Sequence, residues 1–441
     1  MDAPVLNSIR LLQHQVDSLL LYQSIFDDEI GQAFLTLLQT LQRSEANGQA
    51  CLRAYGCWFR AIAAQSQSWQ AYLLTQILSA NNPFTQQAQQ LDLNQLSPSL
   101  LAAARHDLQT LQQVYRCDGN QLSQWVQLAC SLETPPVAWN LEDPQSAHTR
   151  IPTHQHSIRA TFSRIPDWVD AVAELAGYYR TSGIGLFASY AALRWQSGTL
   201  VGISYPDPIR LDELVGYELQ RDRLLKNTEA LLAGYSALHV LLYGSRGSGK
   251  SSLVKSLLHH YGDRGLRLIE VAKSDLKDLT VIVDALRDAP QKFIIFVDDL
   301  SFEEDDDAYK ALKVILEGNL TARPQNVVVY ATSNRRHLIR EFFGDRPRPS
   351  DADEVHSWDT VQEKLSFSDR FGLTLTFEPA DQPTYLAIVH HLATLADISL
   401  EPQELDYQAL QWATRHNGRS GRTARQFVNF LRSELALSSG S

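Results

Sequence analysis

One stretch of the chain has residue types and spacing suited to holding a phosphate chain: Gly244-Ser245-Arg246-Gly247-Ser248-Gly249-Lys250-Ser251. Its glycines permit positive φ and close backbone approach, so successive N–H groups can converge on phosphate oxygens, aided by the N-terminus of a following helix. Lys250 would reach the outer phosphates and the Ser251 hydroxyl would ligate Mg²⁺, with Ser252 next in the same turn. A second run, Phe293 to Val297, is apolar and ends in Asp298-Asp299. Ligand sites in open α/β sheets lie beyond the carboxyl ends of the strands, so Asp298 would stand beside the metal ion. The acids Glu303 to Asp307 read first as the solvated start of the next helix, where negative charge suits the helix dipole.

These residues need strands and helices to position them, and the pattern from about residue 206 supplies both. Apolar strand candidates are Leu238 to Tyr243, Leu266 to Val271, Phe293 to Val297, Val327 to Ala331 and Leu373 to Phe377. Such near-continuous apolar runs suit strands covered on both faces, which predicts an α/β fold with a parallel sheet. The phosphate loop follows LHVLLY and opens the helical run SSLVKSLLHHY, the context it requires. After Pro379 only helices are predicted, over about 383–396, 402–415 and 422–433, forming a helical lid.

The chain has 441 residues, 44% of them apolar, so it can bury several cores; at 20% charged residues it is neither disordered nor collagen-like. The composition changes near residue 200. Residues 1–200 contain no lysine and 25 glutamines, whereas all nine lysines follow, from Lys226 onward. In the first region Ile9, Leu12, Val16, Leu19 and Leu20 form one helical stripe and Phe34, Leu37, Leu38 and Leu41 another. Further helices are expected over about 50–79, 98–115 (Ser97 as cap, Pro98 in the first turn) and 120–132, giving an all-α N-terminal domain.

The expected organisation is a helical domain at 1–132, a Pro-rich linker at 133–158, an adapter at 159–205, a nucleotide-binding core at 206–380 and a lid at 381–441. The adapter is read as a short helix near 167–181 and a hairpin around Gln196-Ser197-Gly198. His148, His154 and His156 lie in the linker without an acid or cysteine at ligand spacing, which suits a solvated loop better than a metal site. Cys51, Cys57, Cys117 and Cys130 fit no zinc or disulfide spacing and read as buried free thiols. The early acid Asp2 and the lack of a long apolar run predict a cytoplasmic protein that does not enter a membrane. A net charge of −11 argues against broad contact with nucleic acid. Arg335, Arg336, Arg340, Arg346 and Arg348 could form a local exception; surface charge or subunit contacts is the preferred reading.

Over about residues 206–435 the pattern resembles an AAA+ ATPase, and more narrowly a bacterial domain-of-unknown-function family of stand-alone AAA+ proteins. DPIRLDELVGYE, LLYGSRGSGKSSLVK, FVDDLSFE, LKVILEGNL, NVVVYATSNRRHLI, LSFSDRFGL and SGRTARQF carry that likeness. The resemblance implies ATP and Mg²⁺ as ligands. It places Leu214-Val215-Gly216 in the segment that lines the adenine pocket, Asn334 in Ala331-Thr332-Ser333-Asn334 as sensor 1 near the attacking water, and Arg370 as an arginine finger inserted by a neighbouring subunit. Arg422, with Arg425 as the other candidate, resembles sensor 2 of the lid. It also implies a homo-oligomer, as a ring or an ATP-dependent assembly.

Two departures bear on activity. The residue after the metal aspartate is Asp299, one methylene shorter than the family's usual glutamate, so the base is Asp299 through a repositioned water or else Glu303, and fast turnover is in doubt. The loop Ala272-Lys273-Ser274-Asp275 lacks the aromatic and glycine of polypeptide-threading members, which disfavours threading. The expected activity is Mg-ATP hydrolysis that remodels or loads a protein partner captured by residues 1–200. The alternatives are a slowly hydrolysing ATP-gated scaffold and, less favoured, a nucleic-acid loader.

Overall fold

The structure, a computed structural model, describes residues 3–43, 48–140, 155–302, 307–317, 324–334, 367–416 and 418–439. The chain divides into two compact units, Met1–Ser189 and Tyr190–Ser441.

The first unit is helical: α1 (Ala3–Asp17), α2 (Glu29–Gln42), α3 (Gly48–Ala64), α4 (Trp69–Ser79), α5 (Pro83–Ala88), α6 (Pro98–Arg116), α7 (Gly119–Cys130), α8 (His156–Arg164), α9 (Val172–Ser182) and α10 (Gly185–Ser189). The stripe Phe34, Leu37, Leu38 and Leu41 is fully buried, as its three- and four-residue spacing requires. The α1 stripe ends earlier than its spacing predicts. Ile9, Leu12, Val16 and Leu19 are buried, but Leu20 is exposed, because the helix stops at Asp17. The turn beyond it is held by the buried carboxylate of Asp107 on α6, which accepts from the N–H groups of Leu20, Leu21 and Tyr22. Pro98 opens α6 as expected, whereas the Ser97 side chain makes no capping bond.

Residues 133–140, expected within a linker, instead lie against the bundle. Trp139 donates its indole N–H to the carbonyl of Gln67 at 2.9 Å and packs edge-on to Phe59. His148 and His154 fall outside the described residues, and His156 begins α8, whose Ile158 and Phe162 join the bundle core. The 159–205 stretch is divided: α8 to α10 belong to the first unit, the hairpin to the second. Cys51 and Cys117 are buried and Cys130 half-buried, but Cys57 is exposed, since it falls outside the buried stripe of α3 that carries Tyr55 and Trp58.

The second unit begins with β1 (Ala192–Gln196) and β2 (Thr199–Gly202), joined by Ser197 and Gly198, both at positive φ, as a tight hairpin requires. Next come α11 (Glu218–Leu232), β3 (Val240–Gly244), α12 (Lys250–Tyr261), β4 (Leu266–Glu270), α13 (Leu279–Leu286), β5 (Lys292–Val297), α14 (Asp307–Glu317), β6 (Val327–Ser333) and β7 (Leu373–Phe377). Among the described residues the sheet order is β2-β1-β4-β5-β6-β3-β7, parallel except for the β1–β2 pair. The hairpin thus extends the sheet instead of merely leading into it. β6 is buried along its whole length, which explains its unbroken apolar run.

Three helices follow: α15 (Gln382–Leu395), α16 (Pro402–Arg415) and α17 (Gly421–Ser439). They form a lid around a separate small core that includes Tyr385, Val389, Leu405, Ala409 and Phe427. Because β3 lies between β6 and β7, the loop after it opens beside the carboxyl ends of β5 and β6. This is an α/β core built on a largely parallel sheet, with a glycine-rich loop after β3 and a C-terminal helical lid.

Candidate nucleotide-binding site

The loop after β3 turns through three glycines at positive φ: Gly244 (135°), Gly247 (75°) and Gly249 (91°). A Cβ on Gly244 would stand 2.0 Å from the carbonyl oxygen of Phe377, and one on Gly247 would stand 2.8 Å from Ser420 Oγ, so both positions require glycine for space as well as for φ. The next turn starts α12 at Lys250, aiming the N-terminus of that helix into a cavity of about 590 Å³. That volume lies within the range of small-molecule sites, roughly 300–1,000 Å³.

Arg246, Gly247, Ser248, Gly249, Lys250, Ser251, Ser252, Asp298, Asp299, Asn334, Val215 and Arg422 line this cavity. Gly244 and Ser245 lie behind the lining and act through their carbonyls, which accept from Lys250 Nζ at 3.1 and 2.7 Å. Gly216, expected at the adenine, is not in the lining. It stands at φ 96° where a Cβ would meet Thr384 Cγ2 of α15 at 2.7 Å, so its place is the close passage of this turn beneath the lid. Its N–H donates to Glu218, whose carboxyl is held below its usual range by that bond.

Charge is concentrated at one end of the cavity. Lys250 is only 6% exposed, and burial lowers its pKa, with the charges of Asp298 and Asp299 acting in the opposite sense. Ser251 Oγ donates to Asp298 Oδ1 at 2.6 Å, bringing together the hydroxyl and carboxylate expected at a metal ion. Asp299 adopts φ 52°, a left-handed conformation that Asp tolerates better than most residues. Its carboxylate accepts from the Asn334 amide at 2.6 Å. Glu303 and the five arginines between 335 and 348 lie outside the described residues.

The other end is apolar, formed by Leu214 and Val215 with Ile388 and Leu392 of α15. Two lid arginines also line the cavity. The Arg422 N–H donates to the Gly247 carbonyl, and Arg425 pairs with Glu213 at 2.8 Å. Arg370 is placed elsewhere. It closes a short 3-10 turn three residues before β7, at the amino end of that strand, whereas the phosphate loop stands at the carboxyl ends.

Sequence reasoning missed Glu213, Thr332, Ile388, Leu392 and Gly421 as parts of the site. A signal existed for Thr332, which falls two residues before Asn334, near the end of β6. Ile388 and Leu392 lie one turn apart on α15, and nothing in their local sequence marks them as part of a site.

The residues fit a magnesium nucleotide. The cradle has no room for a side chain at Gly244 or Gly247, a buried ammonium stands over it, and a hydroxyl–carboxylate pair offers the hard oxygen donors that Mg²⁺ prefers. The apolar end suits a flat heterocyclic base.

A family model described as "Protein of unknown function (DUF815)" matches residues 188–435. No curated protein matches the chain. Among solved structures, the Thermotoga maritima RuvB Holliday junction branch migration motor is 18% identical, with a TM-score of 0.36, covering 53% of this chain and 67% of that one. A point mutant of the same motor is 16% identical with a TM-score of 0.38, at the same coverages. A replication initiator DnaA bound to AMPPCP and single-stranded DNA is 16% identical, with a TM-score of 0.35, covering 52% and 66%.

Proposed function

The chain belongs to the family of proteins of unknown function DUF815, and from that premise we propose that it is a Mg-ATP-dependent ATPase of AAA+ type that acts on a protein partner. The observation that carries this reading is the convergence of Lys250, Ser251 and Asp298 on one cavity at the mouth of a glycine-cradled loop. Lys250 binds phosphate oxygens, exchanging its carbonyl partners for them, and the loop's N–H groups and the start of α12 add fixed dipoles. Ser251 and Asp298 would hold Mg²⁺, which when bound neutralises charge on the phosphates. Asp299 orients and deprotonates the attacking water, and Asn334 fixes the carboxylate of Asp299.

Arg370 cannot serve its own site. β7 spans five residues, roughly 16 Å at about 3.3 Å per residue, and separates Arg370 from the loop end of the sheet. On this reading its guanidinium serves the site of a neighbouring copy, and a finger supplied in this way is worth about 10³–10⁵ in rate. Oligomerisation with ATP follows from this reading, as does capture of a protein partner by the lysine-free helical unit. The acidic total favours protein over nucleic acid as that partner.

One observation supports a slower, switch-like variant of the same function. Asp299 is one methylene shorter than glutamate, and with its Oδ1 held by the Asn334 amide it has Oδ2 as the acceptor for water, at a reach set by its φ of 52°. Phosphate release from ATP by the full chain, together with its mass with and without ATP, tests the proposal. Hydrolysis lost in Asp299→Asn, with an assembly that forms only with nucleotide and turns over far more slowly in Arg370→Ala, is the expected result. Absence of hydrolysis with tight ATP binding selects the scaffold reading, and hydrolysis unchanged in Asp299→Asn overturns the assignment of the base.

A further inference from the structure

The second unit contains a polar group that neither the loop pattern nor the sensor pattern assigns. Thr332, on β6, is 2% exposed, yet its hydroxyl makes two bonds at the site. Oγ1 donates to Asp298 Oδ1 at 2.5 Å and accepts from the Asp299 N–H at 3.0 Å. The Thr332 carbonyl accepts from the Leu300 N–H at 2.7 Å, and the next hydroxyl, Ser333 Oγ, donates to the Leu300 carbonyl at 2.8 Å. The end of β6 thus holds three successive residues beyond β5.

We propose that Thr332 is a positioning residue for the divalent cation: its hydroxyl aims the Asp298 carboxylate at the metal and fixes the left-handed turn at Asp299. The inference rests on reading this cavity as a magnesium-nucleotide site. Three features carry it. First, the Thr332 hydroxyl has one proton, and giving it to Asp298 Oδ1 orients the carboxylate whether or not Ser251 also donates to that oxygen. When Ser251 turns its lone pairs to a cation, Thr332 becomes the donor that keeps Asp298 in place.

Second, the bond from the Asp299 N–H uses a lone pair of the same oxygen, so one hydroxyl couples the direction of Asp298 to the backbone of Asp299, which stands at φ 52°. Third, valine has the shape of threonine without the hydroxyl, so the role can be removed with little change in packing. Groups that orient a metal ligand from behind characteristically alter metal affinity about 10–100-fold when removed.

The test uses the full chain and two readouts: Mn²⁺ binding followed by electron paramagnetic resonance with ATP present, and ATP binding in EDTA followed by calorimetry. Thr332→Val is expected to weaken Mn²⁺ about 10–100-fold while ATP affinity in EDTA stays within about twofold of the parent, and Thr332→Ser is expected to restore Mn²⁺ affinity. A threonine that served only packing would lower neither affinity selectively. Mn²⁺ affinity unchanged in Thr332→Val, or lowered equally in Thr332→Ser, overturns the inference while leaving the nucleotide site intact. A parent chain that binds neither ATP nor Mn²⁺ overturns the reading on which it rests. If Thr332→Val does not fold, the serine variant decides alone, since it keeps the hydroxyl and must bind Mn²⁺ as the parent does.

Discussion

Replacing Lys250 with methionine separates what this side chain does for the fold from what it does for the ligand. Its ammonium donates to two carbonyls, of Gly244 and Ser245, and is almost wholly removed from solvent. Methionine keeps the length and the apolar stem. The fold loses hydrogen bonds made by a charged donor but also loses the cost of desolvating that charge, and because these terms oppose each other the ligand-free stability should move by no more than about 1 kcal/mol. Nucleotide binding has no such compensation, because charge-assisted bonds from an ammonium contribute about 1.5–3 kcal/mol, a loss of roughly ten- to 150-fold in Kd. Thermal unfolding with ATP set at about 100 times the parent Kd reads both effects. The parent gains about 2.7 kcal/mol from ligand, and Lys250→Met retains only about 0.3–1.4 kcal/mol. For a unit of this size these correspond to shifts of about 5–10 °C and about 1–5 °C.

The pH dependence of the ligand-free difference has a definite sign. Burial holds the folded-state pKa of Lys250 below its ordinary 10.5, so the folded chain binds that proton less tightly than the unfolded chain does. The resulting cost is present in full below the folded pKa and vanishes as pH rises to the unfolded value. Lys250→Met lacks this cost, so its stability relative to the parent is greatest near neutrality and declines towards pH 10. A full ATP-induced shift in the variant, or a large fall in its ligand-free Tm, would refute this account of the loop.

Other perturbations reach different parts of the chain. Gly247→Ala places a Cβ 2.8 Å from Ser420 Oγ at φ 75°, and should cost about 1–2 kcal/mol from the left-handed backbone alone, measured by urea unfolding; no loss would mean that the loop can abandon this conformation. Asp107→Ala leaves the N–H groups of Leu20, Leu21 and Tyr22 without their acceptor, and roughly 3 kcal/mol or more should be lost from the helical unit. A change below about 1 kcal/mol would show that this turn finds other partners. Tyr330 is buried and its pKa is pushed up to about 12, so the stability it contributes is complete below the unfolded value of 10.0 and is lost as pH rises through about 12. Phenolate absorbance should therefore lag in the folded chain, and a titration at the free-tyrosine value would contradict the burial.

The nucleotide site was legible in the sequence where its chemistry is local. The loop from Gly244 to Ser251 carries its own backbone requirements, and Phe293 to Val297 ends in acids at the place where a parallel sheet presents its ligands. What escaped depended on contacts between distant segments. Thr332 gains its role only because β5 and β6 are neighbours, which brings its hydroxyl beside Asp298, 34 residues earlier. The turn after α1 depends on Asp107, 85 to 87 residues away, so no local pattern could mark the end of that stripe. Trp139 lay in a Pro-rich run that looked like a linker, and only its fit against Phe59 and Gln67 makes it part of the bundle. The family resemblance places Gly216 at the adenine, but its close neighbour is Thr384 on the lid and not the cavity.

The central claim is that Lys250, Ser251 and Asp298 together form a magnesium-nucleotide site, and calorimetric titration of the full chain with ATP, in Mg²⁺ and then in EDTA, tests it most directly. The account predicts saturable one-to-one binding that is tighter with Mg²⁺, and in Asp298→Asn a loss of that Mg²⁺ dependence with binding in EDTA preserved. Failure of ATP to bind, or Asp298→Asn binding Mg-ATP as the parent does, would contradict it.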